Sequence, residues 1–537
     1  MSASSKKKLR KEQEAVKLTE KQQAAQREAK KLNLYTKLFV VVMVALLVVA
    51  ITVGVTQTIA GKGIREKNTI AMTVGDHEIN NVEMNYFYMD AVNNFYSSYG
   101  SYASLFGLDV TKPLNEQFAD EATGLTWADD FLASAKQNAK TTYAVADAAQ
   151  AAGYTLSDEE LASVETNMAS LDLYATMYGY SNADAYLKAV YGNGADAESY
   201  TAYSKLCTLA QSYYSHYAAE LTYDDAALAE ANAKNPAAYA SYSYNTYYIA
   251  VNKFLEDSEN ATDAQKAEAL AAAEEAAQTL TAGTYASAED LDQAIAALPM
   301  NEGTEAVSTS YADTLYSSIS SIYADWITDS SRKTGDVSCF ANETTTDGTS
   351  VVNGYYVVCY FGSNDNNFPL ANVRHILVTP EHNHAEGEEH AEDETYSEEE
   401  LAAAKAVAEE ILTEWKSGAA TEESFAELAN AKSADGDGTT GGLYENVYPG
   451  QMVDSFEDWC FDASRKAGDT GIVESTYGYH VMFYVGDSDM TYRNYQIDNE
   501  LRSADLQTWY NALVESANVT DGNAQYIKMD LVLNRGA

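Results

Sequence analysis

A chain of 537 residues is longer than one ordinary hydrophobic core serves, and its length implies about three or four domains. Its net charge of −46 is unevenly spread: residues 1–37 hold 11 Lys/Arg against 4 Asp/Glu, and the rest holds 23 against 76. An acidic body of that size has the wrong sign for a nucleic-acid surface, and four cysteines in such a length make no disulfide framework.

Residues 1–37 read as a basic tail, rich in Lys, Glu, Gln and Ala from residue 6 onward, where neither Gly nor Pro occurs. Leu38 to Val55 then runs 18 residues without a charge, and Gln57–Ala60 extends it into an interface. A cleaved leader has a shorter basic start and a shorter apolar run, so residues 38–60 read as an uncleaved transmembrane signal anchor. The Lys/Arg excess before it places the N-terminus in the cytoplasm and the bulk of the chain outside it, in a single-pass arrangement.

Ile70–Val74 followed by Gly75-Asp76-His77-Glu78-Ile79 reads as a short strand, a turn and a return, and the stretch Val74 to Glu83 has the pattern V-G-D-x-x-I-x-x-x-E. Long Ala- and Tyr-rich helical patterns follow to about residue 235, broken at Gly100, Gly107, Gly153, Gly179 and Gly192–Gly194. Ser157 with Glu160 three residues on is a capping box. A second pattern there is Tyr178-Gly179-Tyr180-Ser181 followed by Tyr186-Leu187 and Tyr191-Gly192.

An internal repeat begins after Asn235-Pro236. Asp325 to Asp336 and Asp458 to Asp469 agree at eight of twelve positions. Gly354-Tyr355-Tyr356 parallels Gly478-Tyr479-His480, and Tyr248-Ile249-Ala250-Val251 parallels His375-Ile376-Leu377-Val378. Residues 236–362 and 370–487 are therefore two copies of one domain, and on this alignment Tyr248 and Tyr356 replace both histidines in the first. Cys339 and Cys359 could meet across a hairpin, or stand as separate buried thiols.

The second copy holds the chemistry. Val373 to Val378 and Tyr479 to Val485 are β-rich runs with one histidine each, His375 and His480. Between them lie a helix capped by Ser397, with Leu401, Ala404, Val407/Ala408, Ile411 and Trp415 on one face, and a second helix near Thr421. A Gly-rich turn, Gly436 to Gly442, and Gly450-Gln451-Met452-Val453-Asp454-Ser455-Phe456 follow. This order resembles the parvulin family of peptidyl-prolyl cis/trans isomerases. The V-G-D and Tyr-Gly patterns upstream are similar to the chaperone regions of PrsA/SurA-type foldases.

The resemblance implies an α+β fold: an N-terminal transmembrane helix, a mainly helical chaperone lobe over 68–235, and two parvulin-like domains. Each such domain is an antiparallel four-stranded sheet with surrounding helices, and residues 488–537 would return to the helical lobe. It implies that His375 and His480 lie side by side as a hydrogen-bonded floor, with Asp435 beside the rotating carbonyl. It places Met452 and Phe456 in the proline pocket and Gln451 and Val453 at its flanks. The family's threonine before the second histidine is Ser475 here, beside Thr476, and either hydroxyl could serve. Gly441-Gly442-Leu443-Tyr444-Glu445 departs from the family's Gly-Gly-Asp-Leu-Gly in a turn expected to leave the pocket untouched.

The implied partners are unfolded or newly translocated proteins with X–Pro bonds and the membrane at the anchor, with no nucleic acid and no cofactor; a homodimer through the lobe is open. His382, His384 and His390, in an acidic insertion from Pro380 to Tyr396, could bind a divalent metal, but a solvated loop is the simpler reading and no metal is expected. Alternatives to the enzyme are a non-catalytic holdase and an envelope scaffold that uses the parvulin domains to bind peptides.

Overall fold

The computed structural model describes residues 4–7, 62–346, 348–382, 396–436 and 438–533. The expected anchor at 38–60 lies outside the described residues, and among the described residues no helix is long and apolar enough to cross a membrane. From residue 62 onward the chain divides into two compact units, one of Tyr223–Glu500 and one joining residues 62–222 to those from Leu501 onward.

The second of these units is mainly helical. Strands β1 (Ile70–Val74) and β2 (His77–Asn80) pair antiparallel and lead into helix α1 (Asn81–Tyr99), whose first turn is held by the Asn80 side chain accepting from Val82 and Glu83. Helices α2 (Trp127–Ala151), α3 (Asp158–Met177), α4 (Ala183–Tyr191) and α5 (Ala197–Glu220) complete the lobe. The Ser157–Glu160 capping box opens α3. The core is built on the fully buried Met72, Ile79, Met84, Tyr86 and Met89. Each such side chain contributes about 1.5–3 kcal/mol by leaving water.

The chain's end belongs to the same lobe. A strand at Val519–Asp521 pairs with β1, Trp509 stacks on Tyr217 at 4.0 Å, and Arg502 donates to the carbonyls of Ala218 and Leu221 that end α5.

The other unit holds two four-stranded antiparallel sheets of the same topology. After α6 (Asp225–Lys234), the first has β3 (Ser241–Ala250), β4 (Thr309–Leu315), β5 (Val337–Thr346) and β6 (Thr349–Asn364) in the order β4-β3-β6-β5. The second has β7 (Pro369–Val378), β8 (Leu443–Val447), β9 (Thr470–Ser475) and β10 (Gly478–Thr491) in the order β8-β7-β10-β9. Helices α7 (Asp263–Thr281), α8 (Ala288–Ala296) and α9 (Ala324–Ile327) of the first correspond to α10 (Glu398–Ser417), α11 (Glu422–Lys432) and α12 (Asp454–Cys460) of the second.

The twelve-residue repeat folds alike in both copies. Arg332 lies over Trp326 at 5.0 Å, and Arg465 over Trp459 at 4.0 Å. Gly335 and Gly468 donate to the carbonyls of Tyr360 and Tyr484, each at 2.8 Å. Cys339 and Cys359 are free thiols, each opposite a valine in the β5–β6 register.

The register corrects one alignment. Tyr360 pairs with Tyr244 as Tyr484 pairs with Val373, and the same bulge follows in each copy. Counting from there, Tyr356 is the counterpart of His480, but Thr246 is the counterpart of His375, and Tyr248 matches Leu377. The upstream alignment was two residues out. In the first copy Tyr356 instead packs at 4.7 Å from Tyr248, directly opposite it, and at 5.8 Å from Tyr323.

In the second copy α10 is held by the Ser397–Glu400 capping box and buries Ala404, Ala408, Ile411 and Trp415 against the sheet with Phe425 of α11. Val407 turns outward, 46% exposed. The opposite sheet face carries Val373, Val473, Met482 and Tyr484 beneath Phe456 and Cys460 of α12. Functional side chains therefore emerge on the face away from α10.

Candidate functional site

His375 and His480 sit on the two central strands of the second sheet. Met482 faces His375 and Leu377 faces His480 across β7 and β10, so the two histidines are diagonal neighbours on one face, within reach of each other. Their Nδ1 atoms are 3.1 Å apart. His375 Nε2 lies 2.9 Å from Asp435 Oδ2, and Ser475 Oγ lies 2.7 Å from His480 Nε2. Tyr444 donates its hydroxyl to the same Asp435 oxygen at 2.7 Å, and the Tyr477 amide donates to Ser475 Oγ at 3.1 Å.

One proton arrangement satisfies every partner with both rings neutral. The Asp435 carboxylate can only accept, so His375 Nε2 donates to it and His375 Nδ1 must accept. His480 Nδ1 therefore donates, its Nε2 accepts, and Ser475 supplies that proton. Burial, reinforced by His375 beside it, pushes His480 down to about 3, so its ring is neutral near pH 7. The hydrogen bond from His375 pulls Asp435 down to about 2, against burial and with help from Tyr444. The floor joins a neutral His480 to His375 and anchors the pair on one anion.

Phe456 closes this floor. It is 2% exposed and meets both histidine rings edge-on, at 5.3 and 5.5 Å. Met452 and Val453 join the same apolar cluster, as does Tyr444. Gln451 is buried, and its side-chain oxygen accepts from the Tyr448 amide at 3.1 Å, folding the loop on itself. Thr476 is exposed and Ser475 makes the bond to His480, so the two hydroxyls part ways.

Backbone supports hold Asp435 in place. The Ala434 amide donates to the Leu377 carbonyl at 2.8 Å, and Ser433 Oγ accepts from the amides of Leu377 and Asp435. Gly442, at φ +65°, accepts on its carbonyl from the His375 amide at 3.0 Å, and a Cβ there would lie 2.2 Å from the His375 oxygen. Glu457 of α12 accepts from the amides of Gly450 and Met452, which fixes the loop that carries Met452. Burial raises the Glu457 carboxyl above its ordinary range.

Three contributors escaped the sequence. Tyr444 lies in the turn expected to leave the pocket untouched, yet it bonds Asp435 and packs at 5.1 Å from His375. Its signal was the aromatic residue two places after Gly442, on the strand beside β7. Glu457 and Met482 had no signal of their own. His382 stacks on Tyr396 at 4.3 Å with Glu400 at 3.5 Å, while His384 and His390 lie outside the described residues. Among the described residues no group of three His, Cys, Asp or Glu is placed to hold a metal.

Residues 357–485 match the family described as the PPIC-type PPIASE domain, so the second copy is a parvulin-type peptidyl-prolyl isomerase domain. Its similar curated relatives are PrsA foldases. Foldase protein PrsA 1 of Listeria innocua is 42% identical over 79 residues, and that of Listeria monocytogenes is 40% identical over 79. Each match covers 14% of this chain and 26% of the relative, so the chain spans about a quarter of the curated relatives' length. Among solved structures, the PrsA peptidylprolyl isomerases of Bacillus cereus and Bacillus anthracis match at 25% and 23% identity, each with a TM-score of 0.18. They cover 28% of this chain and 49% and 59% of their own.

Proposed function

We propose that this chain is a peptidyl-prolyl cis/trans isomerase that works as a foldase outside the cytoplasm, held to the membrane by residues 38–60. The observation that carries the reading is the unbroken hydrogen-bonded line Tyr444–Asp435–His375–His480–Ser475 under Phe456. The clients are unfolded or newly exported chains containing X–Pro bonds.

Rotation of an X–Pro bond meets a barrier of about 18–20 kcal/mol, and no covalent bond is broken. The enzyme needs only to favour the twisted amide over both planar forms. A twisted amide loses resonance, so its oxygen carries less negative charge than in the planar state. Asp435 receives both of its side-chain bonds on Oδ2, which leaves Oδ1 for the space beside a bound carbonyl. An anion there disfavours the planar, more negative oxygen and so favours rotation. The neutral His480 adds no charge to the floor that would bind the planar dipole. Phe456 and Met452 offer the apolar surface that a proline ring fills.

The test is isomerisation of an X–Pro peptide by the full chain, followed by NMR exchange, beside Asp435→Ala and His480→Ala. Rate enhancement by the wild type that falls at least tenfold in both variants supports the reading. No enhancement by the wild type overturns it. The second reading, a holdase, draws on the first copy, where Tyr356 and Thr246 take the places of His480 and His375 and Tyr356 packs on Tyr248. Suppression of client aggregation that is unchanged in the two variants would show that this activity runs separately from isomerisation.

A further inference from the structure

The V-G-D pattern of the sequence ends on Glu83, and isomerase chemistry has no use for it. Glu83 lies in the first turn of α1, on the wall of a cavity of about 380 Å³ in the helical unit. The cavity is also lined by Tyr86, Tyr143, Ser199, Ala202 and Tyr203.

The hydrogen-bonding capacity of this wall is largely used. Tyr143 donates to Glu83 Oε1 at 2.5 Å, Tyr86 and Ser199 share a bond of 2.8 Å, and Tyr203 donates to Asp90 at 2.6 Å. Lys67 at the rim is engaged by Asp196 at 2.5 Å. Among the described residues Glu83 has no other side-chain bond, so Oε2 is the strong acceptor left to a ligand. Burial holds this carboxyl above its ordinary range, a penalty that a cation beside it would offset. Three tyrosines line the same cavity as the acid, and aromatic rings attract cations. Neutral or anionic ligands gain from neither feature.

We infer that this cavity is a binding site for the ammonium or guanidinium group of a Lys or Arg side chain on an extended polypeptide, with Glu83 as counter-ion and Tyr86, Tyr143 and Tyr203 as an aromatic wall. The strongly acidic body of the chain draws such segments toward it. The site shares no residue with the histidine floor, so it stands or falls apart from the isomerase reading.

The test uses the full chain in detergent and a fluorescein-labelled, proline-free Gly/Ser peptide of nine residues with one central Lys. Its partner peptide carries norleucine there, with the same stem and no charge. Fluorescence anisotropy at low salt should show the Lys peptide binding at least tenfold tighter. Glu83→Gln should remove that preference. Ala202→Trp, at an exposed position on the rim, should remove it too by filling the cavity while leaving every bond of the wall in place. Equal binding of the two peptides by the wild type overturns the proposal, as does a preference that survives both substitutions. Competition by n-butylammonium as strong as by the peptide overturns the assignment to polypeptides and gives the cavity to free amines. Isomerisation of a short X–Pro peptide is measured alongside, and an inactive isomerase leaves the binding result standing.

Discussion

Tyr444 donates its hydroxyl to Asp435 Oδ2 at 2.7 Å, onto the oxygen that also accepts from His375. Two donors on one oxygen fix the carboxylate plane and help hold Asp435 ionised. Tyr444→Phe keeps the ring against His375 and removes only the hydroxyl. Asp435 is 24% exposed, so solvent replaces part of what is lost. The expected cost is about 0.5–1.5 kcal/mol, a fall of roughly 2–10-fold in kcat/KM. The acid limb of the pH–rate profile should move upward as Asp435 returns toward its ordinary range. An unchanged rate and profile would remove Tyr444 from the site.

The same network sets a pH dependence of stability. His480 falls from 6.5 to about 3 on folding, and Asp435 from 3.8 to about 2. In both cases the unfolded chain takes up the proton at a higher pH than the folded domain. Stability is then fully present above about pH 6.5 and declines as pH falls toward 3, with the carboxylate adding its share between 3.8 and 2. The slope from each group is at most about 1.4 kcal/mol per pH unit. Chemical denaturation of wild type and His480→Gln at pH 7, 5 and 4 checks this. The variant should lose the part of the slope between 6.5 and 4, and equal slopes would contradict a neutral His480.

His375, His480, Asp435 and Phe456 were legible because a family's order of residue types survives in the sequence, and the structure places them within one floor. Tyr444 was hidden for a physical reason. A turn departing from a family pattern was read as structural, although the strand after it lies beside β7 and delivers its side chains to the site. The misplaced Tyr248 has a different cause. Side chains alternate with period two, so a two-residue slip keeps every residue on its own face. Burial patterning cannot detect such a slip; only the cross-strand register and the shared bulge reveal Thr246 as the His375 counterpart. The Ser475–Thr476 ambiguity was of the opposite kind, because adjacent residues on a strand face opposite ways.

Gly442 is constrained twice, by φ +65° and by the His375 carbonyl, 2.2 Å from where a Cβ would sit. Gly436, in the same turn, has φ +86° and open space around it. Gly436→Ala should cost about 1–2 kcal/mol, the ordinary penalty of a left-handed alanine. Gly442→Ala should cost about 2–4 kcal/mol and should also depress isomerisation, since β7 must shift where it carries His375. Denaturation midpoints with turnover on both variants separate the cases. Equal losses would show that the close approach to His375 has no energetic weight.

Asn81 and Asn85 hold the chain's end in the helical unit. Asn81 is fully buried, donates from Nδ2 to the carbonyls of Thr69 and Asn523, and accepts from the Tyr526 amide. Asn85, one turn on, donates to Tyr526 and accepts from Lys528. Lys528 in turn donates to the carbonyls of Ala189 and Val190 at the end of α4. Asn81→Ala takes away the side-chain partner of the Asn523 carbonyl and the Tyr526 amide, at about 1–3 kcal/mol for each buried one, while the Thr69 carbonyl keeps the Asn81 backbone amide. Asn81→Asp should do no better, because a carboxylate cannot donate to two carbonyls and is itself costly to bury. Both variants should lose stability in the helical unit and expose residues 518–533 to limited proteolysis. Turnover of a short X–Pro peptide should persist, since the histidine floor draws no residue from this unit. Stability kept by the Asp variant alone would mean that the acceptor oxygen, rather than the two donated bonds, holds the segment.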